Sequence, residues 1–536
     1  MAALSFVRHN LGHSINPDSC NHSFRRNSLP LLRDDASSLV QTISQPHTSN
    51  GNTSLACTAL LSTLFLTLLL LRDATTSLDY PYNKDDDTAP THSIQAPLPV
   101  PAPSPKSEWC QYNDCLKGRW APRNPPFNNL ADFQQAYKNG QEPIWSRAPI
   151  PSPSISGLEF TDEERAVLEE QRLVDLMNYV WVPTEGAGKM KKWDPEDFVV
   201  QMLRTPGGLI LIGNSISQQH SHALGYSLRA ADIRFNHNPP HLPLHNHQGV
   251  HMHVLRPNNP TTLRLLARAG VPESRLLRPI ITMVEDHMLI HEQDIRAITE
   301  QLGASPDYYW YHDFKRVEGW EQFLEDAARP REGEEGTVTE DTVLVMNGGA
   351  HWSRHELSKL PDGESDEEEQ SHVVATYEQM INLIMSRLSQ IPQLSVIYRA
   401  TSPGHPNCNL LTVPYRSLQA AQLGERNLVE RLISTMPDEQ WRTFRKRWDW
   451  DLFAVHNALW EREIASRKEG RGGGGVKWIF MDVWDQALQR PDAHTEPGTD
   501  CLHWNLPGIF EQWTDQIYHI LFLERERKKA KAVVGV

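Results

Sequence analysis

The stretch "GGLILIGNS", residues 207–215, carries the reading of the fold. Four branched apolar residues follow one another with no polar residue between them. A strand with one wet face alternates apolar and polar side chains, so a run without alternation is covered on both faces. Three more runs share the pattern: "DTVLVMNGG" (341–349), "LSVIYRATS" (394–402) and "VKWIFMDV" (476–483). Helical periods lie between them, as in "VVATYEQMINLIMSRL" (373–388), where apolar residues recur at three and four. Strands alternating with helices predict an α/β fold, an α/β/α sandwich around a mainly parallel sheet.

The first run ends in Ser215, at the carboxyl end of its strand, where ligands of open parallel sheets sit. Helix-forming sequence follows, so the backbone N–H groups of a helix start would face any oxyanion forming there. The plainer role for Ser215 is a helix cap. Asn347 follows the second run in the same way. Its amide could donate to an oxyanion, or it could serve as a turn residue. Near the C-terminus, "TDCLHWNLPG" (499–508) places Asp500 three residues before His503. Such a pair alone arises by chance about once in a histidine-rich chain this long. Taken with Ser215 and Asn347, it completes a Ser–His–Asp set with an oxyanion donor, the minimum for acyl transfer.

The formal net charge of −15 over 536 residues, with no concentrated basic stripe, argues against a nucleic-acid partner. Residues 1–54 are rich in Ser, Asn and His and read as a disordered cytosolic tail. Residues 55–71, "LACTALLSTLFLTLLLL", carry no charge. As a helix they would reach about 26 Å, enough for one span of a thin bilayer. Arg8, Arg25, Arg26 and Arg33 precede this run, and Asp73, Asp79, Asp85, Asp86 and Asp87 follow it. The asymmetry predicts a single-pass type II anchor with the rest of the chain lumenal. Residues 72–108, with "APLPVPAPSPKS", read as a proline-rich stalk. The globular part is expected over 109–536, with a helical insertion at about 417–466. That insertion holds "WRTFRKRWDWDLFAVHNALW" (441–460), a core-packing stretch or an aromatic carbohydrate platform; packing is the commoner use.

Of six cysteines, Cys110, Cys115, Cys408 and Cys501 would face an oxidising lumen and make two disulfides, with three pairings open. The run "HNPPHLPLHNHQGVHMH" holds His237, His241, His245, His247, His251 and His253. Its spacing fits no common zinc set and its prolines break any helix, so these are expected to be solvated loop histidines and no metal is expected.

Several blocks, in one order, resemble a known family. They are "CQYNDCLKGRWAPRNPPF" (110–127), "YVWVP" (179–183) with "WDPEDFVVQMLRTPGGLILIGNSISQQ" (193–219), "VIYRATSPGH" (396–405) and "FMDVWDQALQRPDAHTEPGTDCLHWNLPG" (480–508). The family is the trichome-birefringence-like, or PC-esterase, branch of the SGNH hydrolases. The resemblance implies an SGNH-like sandwich with Ser215 as nucleophile and Asp500 and His503 as its acid and base. It also implies an oxyanion and substrate group of Gly213, Asn214, Asn347, Arg399 and His405. Members transfer acetyl groups to hydroxyls of cell-wall polysaccharides in the Golgi, and some relatives remove them. This implies a polysaccharide or glycan acceptor, an acetyl donor and no cofactor. The alternatives are an acetyl esterase, or a non-catalytic glycan- or wall-binding member of the same fold. Three departures stand out: Asn214 replaces the family aspartate, "NGGAHW" carries one residue more than the family block before the Trp, and Asn505 stands where plant members have cysteine.

Overall fold

The structure is a computed structural model that describes residues 108–137, 148–150, 156–306, 315–469 and 475–534. The expected tail (1–54), span (55–71) and nearly all of the stalk (72–108) lie outside the described residues. Among the described residues no helix is long and apolar enough to cross a membrane.

Eleven strands are described, in chain order β1 (Gly118–Pro122), β2 (Tyr179–Pro183), β3 (Leu209–Gly213), β4 (Phe235–His237), β5 (Val250–Leu255), β6 (Ile281–Glu285), β7 (Thr342–Asn347), β8 (Leu394–Arg399), β9 (Lys477–Met481), β10 (His494–Glu496) and β11 (Asp500–Trp504). The chain is α/β. Its central sheet has seven strands in the order β4-β5-β6-β3-β7-β8-β9. The four apolar runs form β3, β7, β8 and β9, and these pair in parallel where they are neighbours. β6 adds a fifth parallel strand beside β3. Every residue of β3, β6, β7 and β8 is buried, as strands covered on both faces must be. Truncating one of these side chains, Ile212→Ala for instance, would cost about 2–5 kcal/mol.

The edge on the β4 side departs from the expectation. Part of the histidine run is strand rather than solvated loop: His237 lies in β4, and His251 and His253 in β5, both antiparallel. In "VHMHVL" the residues Val250, Met252 and Val254 are buried while His251 and His253 are half-buried. That is the period-two pattern of a strand with one open face. His241 and His245 remain on the connecting loop, bonded to the Leu277 and Leu242 carbonyls at 2.7 and 2.8 Å.

The helix Ser215–Ala230 leaves β3 directly and packs on β3, β6 and the C-terminal helix Gly508–Val534. Residues 417–466 fold as the helices Leu418–Thr435, Asp438–Trp448 and, running beyond, Leu452–Glu469. The third lies against β9 and buries Phe453, Trp460 and Ile464, so part of the aromatic stretch belongs to the main core. Arg354, shortly after β7, pairs at 2.8 Å with buried Asp449, the residue that closes the second of these helices. The disulfides are Cys110–Cys115 and Cys408–Cys501, one of the three pairings left open.

Candidate active site

Residue 215 owes its place to its two predecessors. Gly213 ends β3 in register with Glu285 of β6 on one side and Asn347 of β7 on the other. Its φ is +153°, and a Cβ there would collide with the Asn347 carbonyl oxygen, so the close approach of the strands needs glycine. Asn214 is fully buried and caps the helix, its Oδ1 accepting the Ile216 N–H at 3.0 Å. Its Nδ2 is buried with no acceptor among the described residues. Ser215 therefore opens the helix, and its backbone N–H is one of the donors a helix start leaves unused.

β11 brings the other half. Asp500 Oδ1 accepts the backbone N–H groups of Leu502 (3.1 Å) and His503 (3.0 Å). The turn so formed leaves Oδ2 at 2.8 Å from His503 Nδ1, and His503 Nε2 lies 2.7 Å from Ser215 Oγ. Burial alone would push the Asp500 carboxyl up. The His503 ring and the two backbone donors outweigh it and hold the group well below the usual carboxylate range. An ionised acceptor at Nδ1 keeps the proton there, so the Nε2 lone pair faces the serine hydroxyl. The three side chains thus stand in the order a nucleophile, base and orienting acid require.

The halves are also clamped together. Gln219 lies one turn after Ser215, on the same helix face. Its Nε2 donates to the Trp504 carbonyl at 2.9 Å while its Oε1 accepts the Trp504 N–H at 3.1 Å, as a neighbouring strand would. Trp504 Nε1 donates to Ser402 Oγ at 3.2 Å, and the disulfide from Cys501 to Cys408 pins the same strand. Gln219 was not singled out from the sequence, although its four-residue spacing from Ser215 is the signal that could have found it.

Other expected residues are placed differently. Asn347 was expected to offer its amide to an oxyanion, but its Nδ2 donates to the Arg399 carbonyl at 2.9 Å and to Thr401 Oγ at 3.3 Å. Both of its hydrogens are thereby occupied. The Arg399 guanidinium points beneath the helix that Ser215 opens, toward His220 Nδ1 (2.8 Å) and Ser217 Oγ (3.2 Å), and lies 4.8 Å from the Trp513 ring centroid. Burial pushes it down to about 9. It supports the helix from the core. His405 is buried too, with Nδ1 at 2.7 Å from His494 Nε2 and Nε2 at 3.2 Å from the Leu488 carbonyl. His494 Nδ1 in turn meets the His503 carbonyl at 3.0 Å, so this pair packs behind His503. His351 stacks flat on His287, ring centroids 3.8 Å apart.

Among the described residues, the group of His, Cys and carboxylate side chains close enough to share an ion is Cys110, Cys115 and His519. Its two sulfurs are already spent in a disulfide.

No protein-family model matches the chain. The chain is similar to xyloglucan O-acetyltransferase 4 of Populus trichocarpa, with 31% identity over 85 residues. That match covers 14% of this chain and 19% of the relative, so the chain spans about a fifth of the curated protein it resembles.

Proposed function

We propose that the chain is an O-acetyltransferase of polysaccharide hydroxyls, built on an SGNH-like fold and working through an acetyl-serine. The observation that carries this reading is the unbroken contact chain from Asp500 Oδ2 to His503 Nδ1 and from His503 Nε2 to Ser215 Oγ, at 2.8 and 2.7 Å. Similarity to a xyloglucan O-acetyltransferase points to the same chemistry. In the first half-reaction Ser215 Oγ bonds to the acetyl carbonyl carbon as its proton passes to His503 Nε2. The bond to the donor's leaving group then breaks, and that group takes the proton from His503. In the second half an acceptor hydroxyl gives its proton to His503 as its oxygen attacks the acetyl carbon. The bond to Ser215 Oγ breaks and the serine recovers a proton. Asp500 remains ionised throughout and stabilises the imidazolium that forms.

A second reading, an acetyl esterase, is favoured by one observation: the side chains of His503 and Asp500 are 31% and 32% exposed, so water has access to the base. The two separate in one experiment. Purified protein is given an activated acetyl ester with and without xyloglucan oligosaccharides. Acetylated sugar supports the transferase, acetate release alone the esterase, and neither product refutes both.

The organisation that goes with this function is a cytosolic tail (1–54), a type II anchor (55–71), a stalk (72–108) and a lumenal catalytic part (109–536) in a secretory-pathway membrane such as the Golgi. The charge asymmetry around 55–71 supports it, as do two disulfides, which persist in oxidising compartments. An acetyl donor is required, and no cofactor enters the scheme.

A further inference from the structure

We propose that the oxyanion of this site is held by the backbone N–H of Gly349 together with that of Ser215, and that a cage of buried hydroxyls aims the Gly349 group. The inference rests on the acyl-transfer reading above. It starts from the Asn347 side chain, whose amide hydrogens are already given to the Arg399 carbonyl and Thr401 Oγ. A different donor is therefore needed on the β7 side of Ser215.

The backbone just beyond β7 supplies one. The Asn347 carbonyl is turned toward β3, since a Cβ on Gly213 would strike its oxygen. The next carbonyl, that of Gly348, is turned the other way, toward β8. Three hydroxyls hold it there: Tyr377 OH at 2.6 Å, Tyr398 OH at 2.6 Å and Thr401 Oγ at 3.0 Å. Tyr398 belongs to β8 and Thr401 follows it, while β3 lies across β7 from β8. A trans peptide points its N–H opposite to its C=O. The N–H of the Gly348–Gly349 peptide therefore faces the β3 side, where Ser215 begins its helix. Register agrees with this, because Gly213 pairs with Asn347 and two residues further on each chain stand Ser215 and Gly349. Gly349 is buried, and its N–H has no partner among the described residues. A Cβ at Gly349, whose φ is +152°, would press on the Thr401 hydroxyl, so this residue must be glycine for the cage to close.

When the Ser215 Oγ–carbon bond forms, the carbonyl π pair moves onto oxygen, and that oxygen receives the two N–H groups. The cage is itself braced. Trp460 Nε1 donates to Tyr377 OH at 3.0 Å, and the two tyrosine oxygens lie 3.0 Å apart. Burial pushes the Tyr398 phenol up to about 12 and the Tyr377 phenol well above its ordinary range, so both remain protonated donors at neutral pH. Tyr377, Tyr398 and Thr401 are positioning residues and touch no substrate.

The test measures acylation of the full chain by p-nitrophenyl acetate and by its thiono analogue, whose sulfur accepts hydrogen bonds poorly. The variants are Tyr398→Phe, Tyr377→Phe and the double variant, with Tyr518→Phe as a control. Tyr518 bonds Asp197 far along the C-terminal helix and takes no part in the cage. Acylation should fall about 10-fold in each single variant and about 10²–10³-fold in the double one, the loss expected for one oxyanion donor. KM should hold within about two-fold, because the lost contact strengthens only in the transition state. The preference for the oxo over the thiono ester should shrink in step, and the control should match wild type. A folded double variant with wild-type acylation and an unchanged oxo preference overturns the inference; if the double variant does not fold, the single variants decide by the same criterion. Failure of wild type to form acetyl-Ser215 overturns the acyl-transfer reading and this inference together, whereas normal acylation with insensitive variants overturns this inference alone.

Discussion

Asp500→Asn is isosteric, and the structure dictates which way the new amide turns. Two backbone donors, the N–H groups of Leu502 and His503, converge on Oδ1. An asparagine must offer its oxygen to them, which leaves its NH2 facing His503 Nδ1. A donor at that position forces Nδ1 to accept, so the ring proton moves to Nε2 and points at Ser215 Oγ. The base then presents a hydrogen where a lone pair is needed. The comparable change in a Ser–His–Asp triad lowers kcat by about 10⁴-fold, or about 5.5 kcal/mol at 1.36 kcal/mol per factor of ten. Stability should fall by about 1–3 kcal/mol at neutral pH, because the neutral amide loses the charge-assisted bonds that hold the carboxyl below its usual range, while the fold persists since both backbone donors keep an acceptor. Stopped-flow acylation with p-nitrophenyl acetate, alongside a thermal melt, reads both quantities. Acylation within ten-fold of wild type in a folded Asp500→Asn protein would refute the tautomer argument.

Removing the Cys408–Cys501 bridge by Cys408→Ala with Cys501→Ala opens a loop with a sequence separation of 93 residues. Chain entropy puts the loss at about 4–5 kcal/mol. The urea midpoint should drop accordingly, and activity should fall with it because Cys501 lies between Asp500 and His503; an unchanged midpoint contradicts this. On the C-terminal helix, burial and the neighbouring Glu511 push the Asp515 carboxyl up to about 8. A carboxyl raised above its unfolded value of about 3.9 keeps its proton longer in the folded state, so stability falls as pH rises from about 4 to 8. Melting temperatures across that window should decline in wild type and flatten in Asp515→Asn; parallel curves would remove Asp515 as the cause. For topology, a C-terminal tag in sealed microsomes should resist protease until detergent is added, and digestion without detergent would exclude the type II arrangement.

The parallel core was legible because burial on both faces writes itself as unbroken apolar runs, as in 209–212 and 343–346. β6 was not picked out, since "ITMVE" is brief and holds two polar residues, Thr282 and Glu285, that are nonetheless buried. The β4–β5 edge hid in a run whose prolines and histidines signal a loop. Its period-two pattern spans only 250–254, and a stretch that short cannot be separated from chance by periodicity. Ser215, Asp500 and His503 could be named from residue type and position at strand ends. Their joining could not, because 285 residues separate Ser215 from Asp500 and only the folded sheet brings them together. The role assigned to Asn347 came from its place at a strand end, and those of Arg399 and His405 from resemblance. Their side chains turn into the core, where hydrogen bonds to Thr401, Ser217 and His494 hold them. The direction of a buried side chain depends on partners that are distant in sequence, and no local pattern records it.

The central claim is that Ser215 carries the acetyl group. A short pulse of p-nitrophenyl acetate, followed by acid quench and peptide mass mapping, tests it directly on wild type and on Ser215→Ala. The account predicts acetylation at Ser215 in wild type, no acetylated serine in the variant, and loss of turnover in a variant that still melts like wild type. A folded Ser215→Ala protein that transfers or releases acetate at the wild-type rate would contradict it and leave Ser215 as the first residue of a helix.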